Sequence, residues 1–426
     1  MSQSMARRFL VLFTGTAAAQ LLPVISAPLI ARQYDTAEFG VFGIYIAAST
    51  ICATVCNLKY DNVVLTTTSR SLTASIFGLS IIVNVLIGIL IACAIVLGRA
   101  TGLTRQTTDG YGFALFLPLS LLLAGLLQIL SNVALQRENF AAVARSRIAI
   151  ASITTASSMI AALSMPTARA LIISSLLGQG VGVTLLSWLS VRTGHLRPNF
   201  NVRRLYAVAS LHWRFALFTS PADLLNALAS NLPALFLATL YGTTATGAYV
   251  LTQRLIGTPL MLIGSALADL YRQRVGQRAA VGRPYWDVSV RMLSILSTIG
   301  MLVLFVICLL GQDLATSFLG AQWKLVGDMA VIMVWVYVAR FIVSPLTFSF
   351  YVARRHIEDL ALQAISAITV GTIFWLAKQM HLSLTASLLA LSSVLLIMYL
   401  TYGIRAMQFS RQSQRSGYTQ SRGATP

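Results

Sequence analysis

Charged side chains are scarce in this sequence of 426 residues, because Asp, Glu, Lys and Arg together make up only 10% of it. A typical soluble domain carries about 25% charged residues, so this chain lacks the polar side chains that a water-solvated globule of its size needs. Hydrophobic residues make up 57% of the sequence. This balance excludes a disordered chain and a collagen-like fibre, and it predicts a helical membrane protein that crosses the bilayer many times.

Cysteine is also rare, and the four cysteines, Cys52, Cys56, Cys93 and Cys308, all lie inside apolar runs. No Cys-x-x-Cys pair occurs, so we interpret them as small packing residues rather than disulfide partners or metal ligands. The four histidines lack metal-ligand spacing, and the sequence has no phosphate-binding loop, nucleophile elbow or paired-carboxylate element. We therefore expect no bound metal, no cofactor and no enzymatic activity.

Long apolar runs are present instead, and twelve of them approach the 20 or so residues that a bilayer-spanning helix requires. The runs cover residues 9–31, 40–57, 72–97, 113–135, 148–165, 170–191, 215–240, 247–271, 289–310, 327–351, 360–377 and 382–404. The first run is too long for the apolar part of a signal peptide, so we interpret it as a retained first helix. The predicted fold class is an all-α polytopic membrane protein with twelve transmembrane helices.

Positive charge is concentrated on one side of this predicted topology. Of the 31 basic residues, 23 lie in one alternating set of connections, six lie in the other set and two lie within spans. Cytoplasmic loops carry an excess of Lys and Arg, so both termini are predicted to be cytoplasmic. The loops also explain the net charge of +19, and no nucleic acid partner is expected.

The longest internal connection, residues 192–214, is rich in Arg and separates two sets of six spans. We predict an N-terminal six-helix bundle over residues 1–191, a cytoplasmic linker over 192–214 and a C-terminal six-helix bundle over 215–404. A central cleft is expected between the bundles. The polar tail, residues 405–426, is predicted to be a disordered cytoplasmic segment.

An internal repeat supports two related halves, because a shift of 207 residues superposes the first outward connection on the connection after the seventh span. Four pairs of identical residues then coincide, at Ala31/Ala238, Tyr34/Tyr241, Thr36/Thr243 and Gly40/Gly247. A parallel repeat predicts a pseudo-two-fold axis along the membrane normal and alternating access by rocking of the halves.

Prolines occupy the opening span of each half, at Pro23 and Pro28 in the first and at Pro221 and Pro233 in the seventh. Proline removes a helical hydrogen bond and kinks a helix, so these four residues are hinge candidates. The alternative is a neutral role, since proline is common in membrane helices.

The segment from Pro28 to Phe42 resembles the opening signature of bacterial polysaccharide-transport proteins of the O-antigen flippase type. This family belongs to the multidrug/oligosaccharidyl-lipid/polysaccharide exporter superfamily. Lys59-Tyr60-Asp61 resembles its basic–Tyr–acidic element, and the region from Tyr241 through Arg254 to Pro259 is similar to its seventh and eighth helices. The resemblance implies flipping of an undecaprenyl-diphosphate-linked oligosaccharide from the inner to the outer leaflet of the bacterial cytoplasmic membrane, for lipopolysaccharide or exopolysaccharide biosynthesis.

Two arginines lie inside predicted spans, where a centrally placed Arg costs about 2.5–3.5 kcal/mol on insertion scales. Arg340 and Arg254 are therefore candidates for binding the diphosphate, because a guanidinium pairs with phosphate oxygens. The alternatives are a salt bridge to a buried acid such as Asp223 for Arg340, and outward snorkelling for Arg254. Arg32, at the outer end of the first span, is interpreted as an interfacial anchor that is also able to guide the diphosphate.

Acidic residues in or near the spans are candidates for ion coupling or for a charge network. Asp223 lies in the seventh span and Asp269 near the inner end of the eighth, where a simple pairing with an Arg is the alternative. Asp61 follows Lys59 by two residues, and we interpret the two as part of a charge network that closes the inner side.

The predicted function is therefore a lipid-linked oligosaccharide flippase that works by alternating access. Its expected partners are the lipid-linked oligosaccharide, membrane lipids and other membrane proteins of polysaccharide assembly. A cation-coupled drug or metabolite exporter of the same superfamily is one alternative, and a membrane-embedded glycan polymerase or glycosyltransferase is another. Short outward connections argue against the last, and arginines within spans favour an anionic ligand over a cationic one.

Overall fold

The computed structural model describes residues 3–67, 69–101, 112–192, 198–213, 215–353 and 355–422, and over these residues the chain is helical with no strand. Fifteen α-helices follow one another along the described residues: α1 (Gln3–Gln33), α2 (Thr36–Val55), α3 (Tyr60–Val63), α4 (Arg70–Ala100), α5 (Leu117–Gln136), α6 (Phe140–Ser164), α7 (Ala168–Arg192), α8 (Val202–Leu211), α9 (Ser220–Thr252), α10 (Thr258–Ala280), α11 (Trp286–Leu319), α12 (Lys324–Val343), α13 (Phe348–Val352), α14 (His356–Gln379) and α15 (Leu384–Arg422). Short 3-10 or π-helical turns join several of them.

Eleven helical regions among the described residues are long and apolar enough to cross a membrane. One of them, residues 215–279, is 65 residues long and contains two of the predicted spans. These two spans are separated at Gly242, whose φ of 83° and ψ of −178° break the helical backbone inside α9. The prediction of an all-α polytopic membrane protein is therefore confirmed.

The structure divides into two compact units, residues 1–247 and 248–426, which are described separately. In the first unit, the connection between α1 and α2 is fixed by the residues of the predicted signature. Tyr34 is buried and donates a hydrogen bond to the carbonyl of Ser158, Asp35 caps α2, and Glu38 accepts from the backbone of Ala168 at the start of α7. These polar residues therefore satisfy helix ends and hold α2, α6 and α7 together.

The two copies of the internal repeat meet within the first unit, where α2 and α9 approach backbone to backbone. A β-carbon placed on Gly40 would lie 1.9 Å from the carbonyl oxygen of Thr243, and one placed on Gly247 would lie 2.2 Å from that of Thr36. Each glycine therefore packs on the threonine carbonyl of the other copy. Only glycine permits so close an approach, and the reciprocal contact relates the positions that the 207-residue shift superposes.

In the second unit, a buried hydroxyl network connects four helices. The phenol of Tyr271 on α10 lies 2.8 Å from the hydroxyls of both Ser289 on α11 and Ser349 on α13, and Ser410 on α15 donates to Ser289. Because these hydroxyls satisfy one another, they remain buried without an unpaired polar atom.

The last helix corrects a prediction, because α15 continues through residues 405–422 where a disordered tail was expected. Its extension is anchored by contacts that the local composition did not reveal. Arg405 pairs with Glu358 at 2.5 Å and lies over the ring of Phe409, and the hydroxyl of Ser413 accepts from the backbone of Tyr285. Residues 423–426 lie outside the described part of the chain.

Candidate functional site

Arg340 lies on α12, three residues before this helix ends at Val343 and gives way to a 3-10 turn that contains Pro345. Its carbonyl accepts the capping N–H of Ser344, and its positive charge is favourable at the carboxyl end of a helix. The side chain is half-buried within the apolar region 321–352. Arg340 therefore lies inside a candidate membrane span, close to the end of α12, and its role in binding stays a prediction.

Two tyrosines lie near this guanidinium within the second unit. Tyr249, near the end of α9, and Tyr337, one turn before Arg340, are both buried and interact electrostatically with Arg340. The hydroxyl of Tyr337 is buried without a hydrogen-bond partner among the described residues. A buried hydroxyl without a partner is costly, so the Tyr337 hydroxyl is available to donate to an acceptor oxygen.

Neither Arg340 nor Arg254 forms an ion pair with a described residue. Asp223, the alternative partner that the sequence suggested for Arg340, instead pairs with Lys59 in the first unit. An arginine without a carboxylate partner in an apolar region is expected to have another anionic partner or water.

Arg254 lies on a π-helical turn, Gln253–Gly257, between α9 and α10. This turn is followed by Pro259, which cannot donate the next helical hydrogen bond, and π turns often occur at functional sites. The turn packs on α12, because a β-carbon placed on Gly257 would lie 3.4 Å from the ring of Tyr337. Arg254 itself is half-buried and has no side-chain hydrogen bond with a described residue.

Two other candidate residues, Arg32 and Asp269, lie at more exposed positions than Arg340 and Arg254. Arg32 is exposed in the last turn of α1, as expected for an interfacial anchor. Asp269 lies 3.5 Å from Arg272, one turn further along α10, and both side chains are more than half exposed. This geometry agrees with the simpler interpretation of Asp269 as the partner of an arginine.

A charge network in the first unit is centred on the turn between α2 and α4. Lys59 has a left-handed backbone with φ of 60°, and its ammonium lies 2.9 Å from the carboxylate of Asp223 on α9. Leu58 is also left-handed, with φ of 44°. A left-handed backbone is costly for residues other than glycine, and two such residues in succession are retained only where the surrounding structure imposes this conformation. The turn thus directs Lys59 toward the seventh predicted span.

Asp61 lies in α3, directly after this turn, and is only 4% exposed. One carboxylate oxygen accepts a hydrogen bond from Asn132 at 2.9 Å, and the other is buried without a partner among the described residues. Burial raises the pKa of the Asp61 carboxyl above its ordinary value of 3.8, and the Lys59 ammonium opposes this shift. The structure therefore brings Lys59, Asp61 and Asp223 together, as a charge network requires.

The proline candidates occupy two kinds of position. Pro23 and Pro28 lie inside α1, and Pro233 lies inside α9. Pro221 is instead the second residue of α9, directly after a π-helical turn at Phe215–Thr219. Pro221 therefore lies where the π-helical turn passes into α9, inside the helical region 215–279. The role of the four prolines as hinges stays a prediction.

The sequence patterns did not indicate Tyr249, Tyr337 or the π-helical turn as parts of the site. One signal was available, because Tyr337 precedes Arg340 by three residues and such residues share a helix face. Tyr249 belongs to a distant segment, so its proximity to Arg340 follows from tertiary structure alone. Among the described residues there is no group of three or more His, Cys, Asp or Glu side chains that could hold a metal ion.

Comparison with known proteins identifies the family of the chain. A family model described as "Polysaccharide biosynthesis protein" matches residues 29–327, which is most of the chain. A search of curated proteins finds no match.

Solved structures with a similar fold are transporters and flippases. The lipid II flippase MurJ, in an inward closed conformation, is 11% identical with a TM-score of 0.66, and the alignment covers 98% of this chain and 93% of that chain. An inward-facing multidrug resistance MATE family transporter of the MOP superfamily is 11% identical, with a TM-score of 0.61 and 95% of both chains covered. A MOP superfamily transporter from Pyrococcus furiosus is 12% identical, with a TM-score of 0.55 and 96% of both chains covered.

These identities are low, so the likeness to the solved structures is one of fold. The family and the fold nevertheless agree with the resemblance that the sequence motifs suggested, and that prediction is confirmed. The solved structures of similar fold that are named above are transporters and flippases rather than enzymes. The chain is a multi-pass membrane protein that belongs to the polysaccharide biosynthesis protein family and has the fold of the MOP-superfamily transporters.

Proposed function

We propose that this protein flips an undecaprenyl-diphosphate-linked oligosaccharide from the inner to the outer leaflet of the bacterial inner membrane by alternating access. The lipid-linked glycan would then serve cell-surface or exopolysaccharide biosynthesis. Family membership supports a role in polysaccharide biosynthesis. The similar fold of a protein titled as a lipid II flippase supports a lipid-linked substrate.

The observation that carries the proposal is the group of donors formed by Arg340, Tyr249 and Tyr337. The guanidinium has no carboxylate partner among the described residues, and the Tyr337 hydroxyl has no acceptor there. A diphosphate supplies several anionic acceptor oxygens, and a guanidinium binds two of them at once. A cationic drug would instead place a second positive charge beside Arg340.

Arg254 and Arg32 are proposed as further contacts of the diphosphate. Arg254 is suited to this role by its position on the π-helical turn that packs on α12. Lys59, Asp61 and Asp223 are proposed as the charge network that couples transport to an ion or closes the inner side, because they form one connected group in the first unit.

The test is binding of undecaprenyl diphosphate to the purified protein, measured by native mass spectrometry with undecaprenyl monophosphate as the reference lipid. We expect Arg340→Gln to weaken binding of the diphosphate by about 10- to 100-fold, because hydrogen bonds to charged groups contribute about 1.5–3 kcal/mol. Arg340→Lys should recover part of the loss. Arg291→Gln, at an exposed arginine of α11 in the same unit, is the matched control and should bind normally.

Tyr337→Phe separates ligand binding from folding. Its hydroxyl has no partner among the described residues, so its removal should leave the thermal unfolding temperature unchanged or slightly higher. The same variant should bind undecaprenyl diphosphate more weakly. Unchanged affinity in both Tyr337→Phe and Arg340→Gln, at normal protein abundance, would falsify the assignment of the diphosphate site.

A second candidate function, a cation-coupled drug or metabolite exporter, is favoured by the buried carboxylate of Asp61 with its unpaired oxygen. Complementation distinguishes the two. A flippase restores surface glycan in a mutant that accumulates the lipid-linked intermediate, whereas an exporter leaves the glycan defect and raises resistance to cationic drugs.

A further inference from the structure

The connection between α7 and α9 contains a short amphipathic helix, α8, that packs on the first unit along one face. Leu205 and Val208 of this face are buried in a core cluster that includes Ile76 and Phe77 of α4. The remaining faces of α8 are exposed. The helix is therefore attached firmly to the end of α4 where its apolar span begins.

The depth of α8 follows from three contacts with α4. The backbone N–H of Asn199 donates to the carbonyl of Ala74 at 2.9 Å, and the carbonyl of Asn199 fits against Gly78, where a β-carbon would lie 2.4 Å from it. Arg204 donates to the hydroxyl of Ser71 at 3.0 Å.

These contacts place the chain near the boundary between lipid headgroups and acyl chains. Gly78 follows Arg70 by eight residues, which is about 12 Å along a helix. A headgroup layer is about 5–8 Å thick on each side of a bilayer. With Arg70, the first residue of the candidate span, placed at the outer edge of the headgroup layer, the segment before α8 reaches the level of the outermost acyl carbons, and α8 lies beside the headgroups.

A second face of α8 is apolar yet uncovered. Val202 and Tyr206, four residues apart, are 77% and 75% exposed, and Phe200 just before the helix is also exposed. Residues at this spacing share a helix face. Aromatic and aliphatic side chains at this depth are typical of helices that lie in the plane of a membrane surface.

The edge of this face carries positive charge without acidic residues to neutralise it. Arg203 and Arg70 are exposed and make no side-chain hydrogen bond or ion pair with a described residue. The sequence contains no Asp or Glu between Glu138 and Asp223. Arginines near a membrane surface attract anionic phospholipids.

We infer that α8 is a membrane-surface helix that binds anionic phospholipids: Val202, Tyr206 and Phe200 insert between the headgroups, and Arg203 and Arg70 bind their phosphates. The occupant of the uncovered face is thus the bilayer itself, rather than another protein. The inference is independent of the flippase proposal, because it uses no residue of the diphosphate site.

The first test locates the uncovered face. A fluorescent label is attached at Tyr206→Cys or, as the matched control, at Ala207→Cys, in a chain whose four native cysteines are replaced by alanine. Ala207 is exposed on the side of α8 away from Val202 and Tyr206. In vesicles that contain only this protein, nitroxide-labelled lipids should quench the label at 206 strongly and the label at 207 weakly. Equal quenching at both positions, or a 206 label quenched by aqueous iodide instead, overturns the inference and points to a protein partner.

The second test measures the preference for anionic lipid. Nitroxide-labelled phosphatidylglycerol should quench the 206 label more than nitroxide-labelled phosphatidylcholine at equal mole fraction. Arg203→Gln and Arg70→Gln should each reduce this preference about fivefold, as expected for about 1 kcal/mol per basic residue. Quenching by phosphatidylcholine must persist in these variants, which shows that α8 is still in place. An unchanged preference in the double variant contradicts the assigned role of the arginines.

Discussion

Burial of the Asp61 carboxylate costs free energy that interactions elsewhere in the fold must offset. Its carboxylate is buried in α3 with one oxygen unpaired among the described residues, and the two residues before α3, Leu58 and Lys59, have left-handed backbones. The Lys59 ammonium lowers this cost only in part, because it is itself paired with Asp223. Strained and incompletely satisfied groups of this kind concentrate at functional sites.

The raised pKa of Asp61 predicts a pH dependence of stability. The protonated form is favoured in the folded state, so the contribution of Asp61 is fully present below its ordinary pKa of 3.8 and is lost as the pH rises through the raised folded-state value. The free energy of unfolding in detergent should therefore fall over this pH range in the native protein and fall less in Asp61→Asn. Parallel pH profiles of the two proteins would show that the carboxyl is not desolvated in the fold.

At this scale the sequence singled out candidate residues more readily than it identified their partners. Arginines inside apolar runs stand out in any sequence, so Arg254 and Arg340 could be singled out. The pairing of Lys59 with Asp223 could not be predicted, since the two residues are far apart in the chain and meet only through the packing of α9. Likewise, no local pattern distinguishes the unpaired phenol of Tyr337 from an ordinary membrane tyrosine.

The contact between α2 and α9 shows what the internal repeat means for helix packing. Gly40 and Gly247 were identified from a 207-residue shift, and the structure places each against the threonine carbonyl of the other copy. Close approach of helix backbones at small residues strengthens packing in membranes. These two glycines are therefore required for contact, and not for a special backbone conformation.

Gly40→Ala and Gly247→Ala should each destabilise the protein. A β-carbon cannot fit 1.9 or 2.2 Å from a carbonyl oxygen, so the helices must separate, and overpacking of this kind costs about 1–3 kcal/mol or more. The free energy of unfolding in detergent measures the effect. Gly371→Ala is the control, because a β-carbon there meets nothing within 4 Å; a loss at Gly371 equal to that at Gly40 would refute the packing explanation.

The sequence predicts where the membrane-spanning helices lie, but it does not predict their breaks, π-helical turns or exact ends. Apolar runs indicate spans by their composition, and every predicted run overlaps a helix of the structure. The π-helical turn at Arg254 and the break at Gly242 depend on individual backbone hydrogen bonds and dihedral angles, which hydropathy does not report. The helix beyond Arg405 was missed because its polar composition resembles that of a disordered tail, whereas Glu358 and Tyr285 hold it through tertiary contacts.

At the scale of the whole molecule, scarcity of charge and its uneven distribution determined most of what could be predicted. The apolar composition required a membrane, and the family and fold agree with that conclusion. The charge asymmetry also predicts an orientation, with Lys and Arg on the cytoplasmic side. The composition does not indicate which glycan the proposed flippase would carry, because a hydroxyl-rich ligand is bound by scattered polar side chains.

The predicted orientation has a direct test. Green fluorescent protein fused after Pro426 should fluoresce, since it folds in the cytoplasm, and alkaline phosphatase inserted between Pro166 and Thr167 should be active, since that connection is predicted to face outward. Exchanging the two reporters should abolish both signals. The opposite pattern would show that the basic residues do not determine the orientation.

The reciprocal contact of Gly40 and Gly247 also has an evolutionary consequence. A contact in which each partner presents the same motif to the other can be made by two identical chains. A half-length ancestor with a single copy of the motif would thus have formed it as a homodimer, and gene duplication with fusion would have preserved it inside one chain. Close packing at this contact constrains both glycines, since a larger side chain would collide with the carbonyl opposite.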